Sequence, residues 1–356
     1  MTRMFVPGPV DVAPEVLQAQ AKPMMPHRSK DFEAIFRKTE ERLRKVFFTE
    51  RPVYQGSHSG SGMQEAGICN FVQKSVLSCV NGAFADRWYE VAISHGKEAD
   101  RLDVEWGKPI TSDVLADALK KKHYEAVTIV HNETSTGVES PVKELAETVR
   151  KVSPDTLILV DAVSSLSGVK IEFDAWGLDF LLTSSQKCFA LPPGLAFAAA
   201  SERAMKKAEN VENRGWYFDL LRMEKHRAKD STPMTPAMSL IWALDVQLDR
   251  ILEEGLEARF DRHSAMAKKF QAWAIANDME PLADEPYRSK TVVTVRNAKN
   301  MVIGDLNKFL QLRGMRIANG YGKLKDNTFR VATMGETTMD DIDKLIVGME
   351  DFLKQA

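Results

Sequence analysis

The chain has 356 residues, 44% hydrophobic and 28% charged, with a formal net charge of −2. Such a composition suits a globular protein long enough for two domains, and the near-balanced charge argues against nucleic acid or an anionic membrane as its main partner. No apolar run approaches the roughly 20 residues that a membrane span needs.

Met1-Thr2-Arg3-Met4-Phe5 runs straight into Pro7-Gly8-Pro9, leaving no room for a signal-peptide core. The cysteines, Cys69, Cys79 and Cys188, fit a reducing cytoplasm. Cys69 and Cys79 lack ligand partners at close spacing, so no metal is expected.

Val6 to Val10 carries two prolines and reads as an extended arm. Pro14 opens a helix at a first-turn position. Ser29 is placed to cap a helix over Lys30 to Phe47, whose Phe32, Ile35, Phe36, Leu43 and Phe47 form an apolar stripe. His27 and Arg28 stand just ahead of its positive end, either as a surface basic pair or as an anion site. Val53-Tyr54-Gln55 is a short strand. It runs into Gly56-Ser57-His58-Ser59-Gly60-Ser61-Gly62-Met63, a glycine-rich turn opening a helix. Such a turn is either a phosphate cradle or a flexible loop, and it matches neither the Walker nor the GxGxxG spacing.

Val76 to Val80 is a strand, and Asn81 to Trp88 turns into the next helix. Trp88 stands where a flat ligand could be stacked, or is ordinary packing. A strand is expected over Leu102 to Trp106, a helix over Val114 to Lys122, a buried strand over Ala126 to Val130 and a helix over Pro141 to Val152. Polar residues crowd the strand end at His131 to Gly137. Leu157 to Asp161 and Phe180 to Lys187 repeat the theme, two short apolar runs that each stop at polar chemistry. Alternating strands and helices argue a doubly wound sheet, whose ligands sit beyond the carboxyl ends of the strands.

Pro192-Pro193-Gly194 breaks the chain before a strand over Leu195 to Ala200. Residues 214–218 and 231–236 read as irregular. Long helices are expected over Ala237 to Leu256 and Phe260 to Ala276. Three strands follow, Lys290 to Val295, Met315 to Ala318 and Thr328 to Ala332, with helices over Asp305 to Leu312 and Met339 to Leu353. This last unit reads as α+β of antiparallel character. The expected division is an N-terminal arm at 1–20, a large domain at 21–255 and a small C-terminal domain at 256–356. Arg330 sits mid-strand, where a charge is costly unless paired. It is either a carboxylate ligand or an exposed surface residue.

Asp161 and Lys187 lie 26 residues apart and both end strands that face one crevice. An acid and a lysine in that relation suit pyridoxal 5′-phosphate, whose aldehyde takes a lysine amine and whose ring nitrogen takes a carboxylate. The pair alone also fits a buried Asp and an exposed Lys that never meet.

With these residues laid out, the chain resembles the class V aminotransferases of the fold-type I pyridoxal-phosphate enzymes. Within them it is most similar to the alanine–glyoxylate and serine–pyruvate group. The resemblance runs from Pro7-Gly8-Pro9 to Phe329-Arg330-Val331. It is carried by Ser184-Ser185-Gln186-Lys187 with Pro192-Pro193-Gly194, by Val160 to Ser164, by Phe84 to Trp88 and by Glu133 to Gly137. It implies an α/β fold with a large, mixed, seven-stranded-type sheet domain and a small α+β domain.

It also implies roles. Lys187 would bond the cofactor, Asp161 would pair with its ring nitrogen and Trp88 would stack on its ring. Ser61, Gly62, Met63 and Gln186 would hold its phosphate, and Thr134 its ring oxygen. Thr235 would reach the phosphate of a partner subunit in a homodimer with shared sites. Arg330 would bind the substrate α-carboxylate, with Gly8 and Arg28 also on the substrate side. The family often has His or Thr at the Met63 position and Tyr where Thr232 aligns, and a Tyr-to-Thr change loses reach toward the partner's phosphate.

The activity implied is transfer of an amino group from alanine or serine to glyoxylate or pyruvate by ping-pong kinetics. The alternative is a phosphoserine or aspartate aminotransferase of serine biosynthesis, kept open by His27-Arg28. A desulfurase is disfavoured because Gln186 precedes Lys187 and no cysteine follows Cys188.

Overall fold

The computed structural model describes residues 2–355. In chain order its elements are β1 (Arg3–Phe5), α1 (Pro14–Ala19), α2 (Lys30–Phe47), β2 (Val53–Gly56), α3 (Gly60–Phe71), β3 (Ser75–Val80), α4 (Ala83–Ser94), β4 (Glu98–Asp103), α5 (Ser112–Lys121), β5 (Ala126–Val130), the short β6 (Asn132–Glu133) and β7 (Val138–Glu139), α6 (Val142–Val152), β8 (Leu157–Asp161), β9 (Phe180–Ser184) and β10 (Ala196–Ala200). The helices α7 (Glu202–Ala208), α8 (Leu220–Arg227), α9 (Met238–Glu254) and α10 (Leu256–Ala276) follow, then β11 (Val292–Arg296), α11 (Ile303–Gln311), β12 (Met315–Asn319), β13 (Thr328–Ala332) and α12 (Met339–Leu353).

The larger sheet has the order β2-β10-β9-β8-β5-β3-β4. Only β10 runs against its neighbours, β9 and β2. Its central strands are buried along their whole length, which is why they read as unbroken apolar runs. Alternate residues serve opposite faces. Ile158 and Val160 pack with α6 and α9 residues such as Leu145 and Leu244, while Leu157 and Leu159 pack with Ile68 and Phe71 of α3. Helices therefore cover both faces of a mixed seven-stranded sheet, as expected of the α/β fold. The crossover from β8 to β9 carries no helix, only turns over residues 162–179.

Ser29 caps α2, accepting from the Phe32 N–H at 3.3 Å. The expected strand at Leu102 to Trp106 lies instead at Glu98–Asp103. It is a half-exposed edge strand whose charged side chains mask the strand pattern.

The smaller sheet has the order β1-β12-β13-β11. Its core joins Phe5, Phe270, Val293, Ile317, Phe329, Ile342 and Leu345. The antiparallel expectation holds for β11, β12 and β13, but β1 pairs with β12 in parallel. The N-terminal segment is thus divided. Residues 3–5 belong to the small sheet, whereas Val16 of α1 packs into the core of the large one. Among the described residues no helix is long and apolar enough to cross a membrane.

Candidate active site

A cavity of about 430 Å³ opens at the carboxyl ends of the central strands. The end of β8 brings Asp161 to it. The turn after β9 brings Gln186 and Lys187, β6 and the turn after it bring Asn132 and Thr134, and the start of α3 brings Ser59, Gly60, Ser61 and Gln64. Phe84 and Arg87 come from the first turns of α4, Val6 to Pro9 from the N-terminal arm, and Ala318, Tyr321 and Arg330 from the small domain.

Lys187 is 8% exposed, and its amine donates to the Pro7 carbonyl. Burial, aided by the Arg330 charge, pushes its pKa down to about 8. Asp161 accepts from the Gln64 side-chain amide at 2.7 Å and from the Val163 N–H at 2.8 Å. Burial nevertheless raises its pKa to about 6. Arg330 is buried rather than on an open face, and burial lowers its pKa to about 10. Its Nε donates to the Asn319 carbonyl at 3.0 Å and its Nη1 to the Thr134 carbonyl at 3.4 Å. No carboxylate among the described residues pairs with it, so it is left facing the cavity as a cation.

Two glycines shape the walls. Gly8 has φ +91, and a Cβ there would lie 2.6 Å from Lys187 Cδ. At Gly60 a Cβ would lie 2.7 Å from Val163 Cγ2 and 3.3 Å from Ser184 Oγ. Ser184 Oγ lines the cavity, is fully buried and has no hydrogen-bond partner.

The residues fit pyridoxal 5′-phosphate. The orphan hydroxyl of Ser184 and the helix start at Ser59 to Ser61 offer polar groups to an anion. Lys187 offers the amine and Asp161 the carboxylate, and Phe84 offers a flat apolar face.

Several expected residues lie elsewhere. Trp88 is fully buried and does not line the cavity. It shares a stripe with Ala85 and Ala92, faces the core, and donates from Nε1 to the Gln64 carbonyl at 3.0 Å. Phe84 is the aromatic of α4 that faces the cavity, and the Lys187 amine lies 5.9 Å from its ring centre.

Gly62 and Met63 sit in the first turn of α3 but behind the lining, and the Gly62 N–H is already bonded to the Ser59 carbonyl at 3.0 Å. Arg28 and Thr235 are exposed and outside this cavity. Arg28 donates to Ser231 Oγ at 3.3 Å and the Thr232 carbonyl at 3.4 Å, so it stands beside the loop that carries Thr235. The Thr232 hydroxyl donates to the Met234 carbonyl. Gly8, Ser61, Thr134, Asp161, Gln186, Lys187 and Arg330 do meet in the one cavity. Thr134 Oγ1 lies 2.5 Å from Ser164 Oγ.

Sequence reasoning did not single out Gln64, Phe84, Arg87, Glu133, Ser184 or Tyr321. Glu133 is fully buried and accepts from the N–H groups of Phe84 at 3.1 Å, Ala85 at 3.0 Å and Ser135 at 3.0 Å. Burial raises its pKa, and it pins the start of α4 where Phe84 enters the cavity. The signal for Gln64 was its place one turn after Gly60 in α3.

Comparison with known proteins agrees with this geometry. The sequence profile of the family Aminotransferase class-V matches residues 15–345. An uncharacterized aminotransferase of Methanocaldococcus jannaschii is 38% identical over 93% of this chain and 87% of its own length. Alanine–glyoxylate aminotransferase 1 of Saccharomyces cerevisiae is 32% identical over 99% of this chain and 97% of its own. The solved alanine–glyoxylate aminotransferase of Nostoc sp. superposes with a TM-score of 0.93 at 30% identity, covering 99% of this chain and 96% of that one. With a lysine and an acid brought by adjacent strands to one cradle-walled cavity, and a match that spans both sheets, the chain belongs to the class-V aminotransferase family, pyridoxal-phosphate-dependent transferases of amino groups.

Proposed function

We propose that the enzyme moves an amino group from a small L-amino acid, alanine or serine, to a 2-oxo acid, glyoxylate or pyruvate, by ping-pong kinetics. The observation that carries the reading is that Lys187, Asp161 and Arg330 converge, all buried, on one cavity. The alanine–glyoxylate names of the Saccharomyces and Nostoc relatives support it.

When bound, pyridoxal 5′-phosphate supplies the aldehyde that takes up the amino group and a ring that accepts electron density from the substrate Cα. Arg330 holds the substrate α-carboxylate and so points Cα at Lys187. The Lys187 amine, at a pKa of about 8, is a base matched to mildly alkaline conditions and takes the proton from Cα. Asp161, fixed by Gln64 and the Val163 N–H, presents a carboxylate to the ring nitrogen. Phe84 would support the cofactor ring, and Ser61, Gln186 and Ser184 would hold its phosphate or ring substituents. Pro7 and Gly8 roof the amine and exclude water.

Arg28 and Thr235 act across a homodimer. Their exposure, and the bonds that join Arg28 to the 231–232 loop, suit a surface that completes a partner's site. The domain boundary lies at Gly255, between α9 and α10. The three cysteines are buried and free, in keeping with a cytoplasmic location.

The test is rapid mixing of the purified, cofactor-loaded enzyme with L-alanine, L-serine, L-aspartate and O-phospho-L-serine. Fast bleaching of the visible cofactor band by alanine or serine, restored by glyoxylate, is expected. A preparation with no such band, or an active Lys187→Ala enzyme, would refute the assignment.

A further inference from the structure

A second cavity, of about 510 Å³, lies between the first turn of α6 and the first turns of α10. It shares a wall with the active cavity. His131, between β5 and β6, lines the second cavity, and its neighbour Asn132 lines the first. The His131 N–H donates to the Asp161 carbonyl at 2.8 Å, and the Ser140 N–H donates to the His131 carbonyl at 2.7 Å. Burial holds the His131 pKa down at about 4, so the imidazole adds no charge.

The α6 side of this cavity is rich in unmet donors. Pro141, the residue before the helix, offers no side-chain cap. Among the described residues nothing accepts from the N–H groups of Lys143 and Glu144, which stand at the positive end of the helix. Ser140 is 2% exposed and lines the cavity, and its hydroxyl has no hydrogen-bond partner. Lys143, exposed and without an ion pair among the described residues, adds a positive charge there.

Unmet acceptors lie in the same cavity. Glu139 takes Lys290 through Oε1, while its Oε2 is buried with no partner. Glu144 and Asp261 have no ion pair among the described residues, whereas Glu257 is taken by Lys170 at 3.1 Å. Trp176, Phe260 and Tyr287 supply aromatic surface. A plain anion would leave the acids unanswered. A plain cation would leave the helix start and the Ser140 hydroxyl unanswered.

We propose that this cavity is a second binding site, for a free α-amino acid with a large apolar side chain. The ligand's carboxylate accepts from the N–H groups at the start of α6 and from the Ser140 hydroxyl. Its ammonium donates to Glu139 Oε2, and its side chain lies against Phe260 and Trp176. The site goes beyond the transfer reaction and needs no chemistry at Lys187. The bonds through His131 join its floor to the strand end that presents Asp161.

The test is calorimetric titration of the cofactor-loaded enzyme with L-leucine and L-phenylalanine, with the visible cofactor band followed in parallel. One molecule per chain is expected, with the band unchanged and binding retained in Arg330→Met. Ser140→Ala should weaken binding about 3- to 10-fold, and Glu139→Gln about 10- to 100-fold. Lys143→Glu, a change at an exposed residue that leaves the fold alone, should weaken it as well. Isocaproate lacks the ammonium and isoamylamine lacks the carboxylate, so each should bind at least about tenfold more weakly than L-leucine. Binding of neither amino acid would overturn the proposal, as would binding untouched by the Ser140, Glu139 and Lys143 changes. Binding that shifts the cofactor band and is lost in Arg330→Met would overturn it too, since the ligand would then sit in the first cavity. Isocaproate or inorganic phosphate binding as tightly as L-leucine would overturn it in favour of a simple anion site. None of these readings depends on turnover of alanine, so failure of the proposed function and failure of this site are told apart.

Discussion

Replacing the buried lysine should make the cofactor-free protein more stable while ending its activity. Lys187 is held at a pKa of about 8 in place of the ordinary 10.5, chiefly because burial disfavours its charge. A difference of that size corresponds to about 3 kcal/mol at roughly 1.4 kcal/mol per pH unit. The sign follows from linkage. Below pH 8 the amine is protonated in both folded and unfolded chains, and the folded chain bears the full cost. Between pH 8 and 10.5 the folded amine is neutral while the unfolded one still binds a proton, so the cost shrinks. Above that it is gone.

Lys187→Met removes the charge and also the bond to the Pro7 carbonyl, a loss of about 1 kcal/mol. The net gain should therefore be about 2 kcal/mol at pH 6 to 7, fading toward zero by pH 10. Urea unfolding of cofactor-free wild type and variant at pH 6, 8 and 10 reads it directly. A gain that is the same at all three pH values would show that apolar packing and not charge burial is responsible. A loss at pH 6 would contradict the electrostatic account altogether.

Two further outcomes follow from the geometry. Gly8→Ala places an L-residue at φ +91 and a Cβ 2.6 Å from Lys187 Cδ. Turnover should fall more than tenfold and stability by about 1 to 3 kcal/mol, checked by steady-state kinetics and denaturant unfolding. Trp88→Phe loses the bond to Gln64 and core volume, costing about 1 to 3 kcal/mol with the cofactor's spectrum unchanged, whereas Phe84→Leu should alter that spectrum at little cost in stability. A Trp88→Phe enzyme with a shifted cofactor band and unaltered stability would reverse that assignment.

The central strands were legible because each is an apolar run that stops at a polar residue, and the carboxyl ends of such strands collect ligands in this class of fold. That rule brings Asp161 and Lys187 to one crevice, and the resemblance gave them their roles. The start of α2 was legible because Ser29 is a capping residue in front of an apolar stripe. The choice between Phe84 and Trp88 was harder. Both are aromatic, four residues apart on one helix, and only the stripe formed by Ala85, Trp88 and Ala92 separates the buried ring from the half-buried one that faces the cavity.

The short helices α7 and α8 went unread because their polar sequences depend on contacts with the large sheet, notably Ala204, Ala208 and Leu220. The pairing of β1 with β12 could not be foreseen, since three residues carry no register of their own. Arg28 and Thr235 lie outside the cavity, and no pattern in their own segments separates them from the residues inside it.

That same pairing of Arg3, Met4 and Phe5 with Met315, Arg316 and Ile317 has a bearing on how the protein is made. A ribosome releases residues 3–5 long before their partner strand, Met315–Asn319. Phe5, a fully buried member of the core beside the smaller sheet, stays without its neighbours until that strand emerges. The large sheet, whose strands all lie between residues 53 and 200, is complete long before then. Its assembly can proceed vectorially, while the smaller sheet and the Pro7-Gly8 roof over Lys187 must wait for β12 and β13. A nascent chain therefore carries a formed cradle but an unroofed lysine, and competence for turnover waits on the smaller sheet.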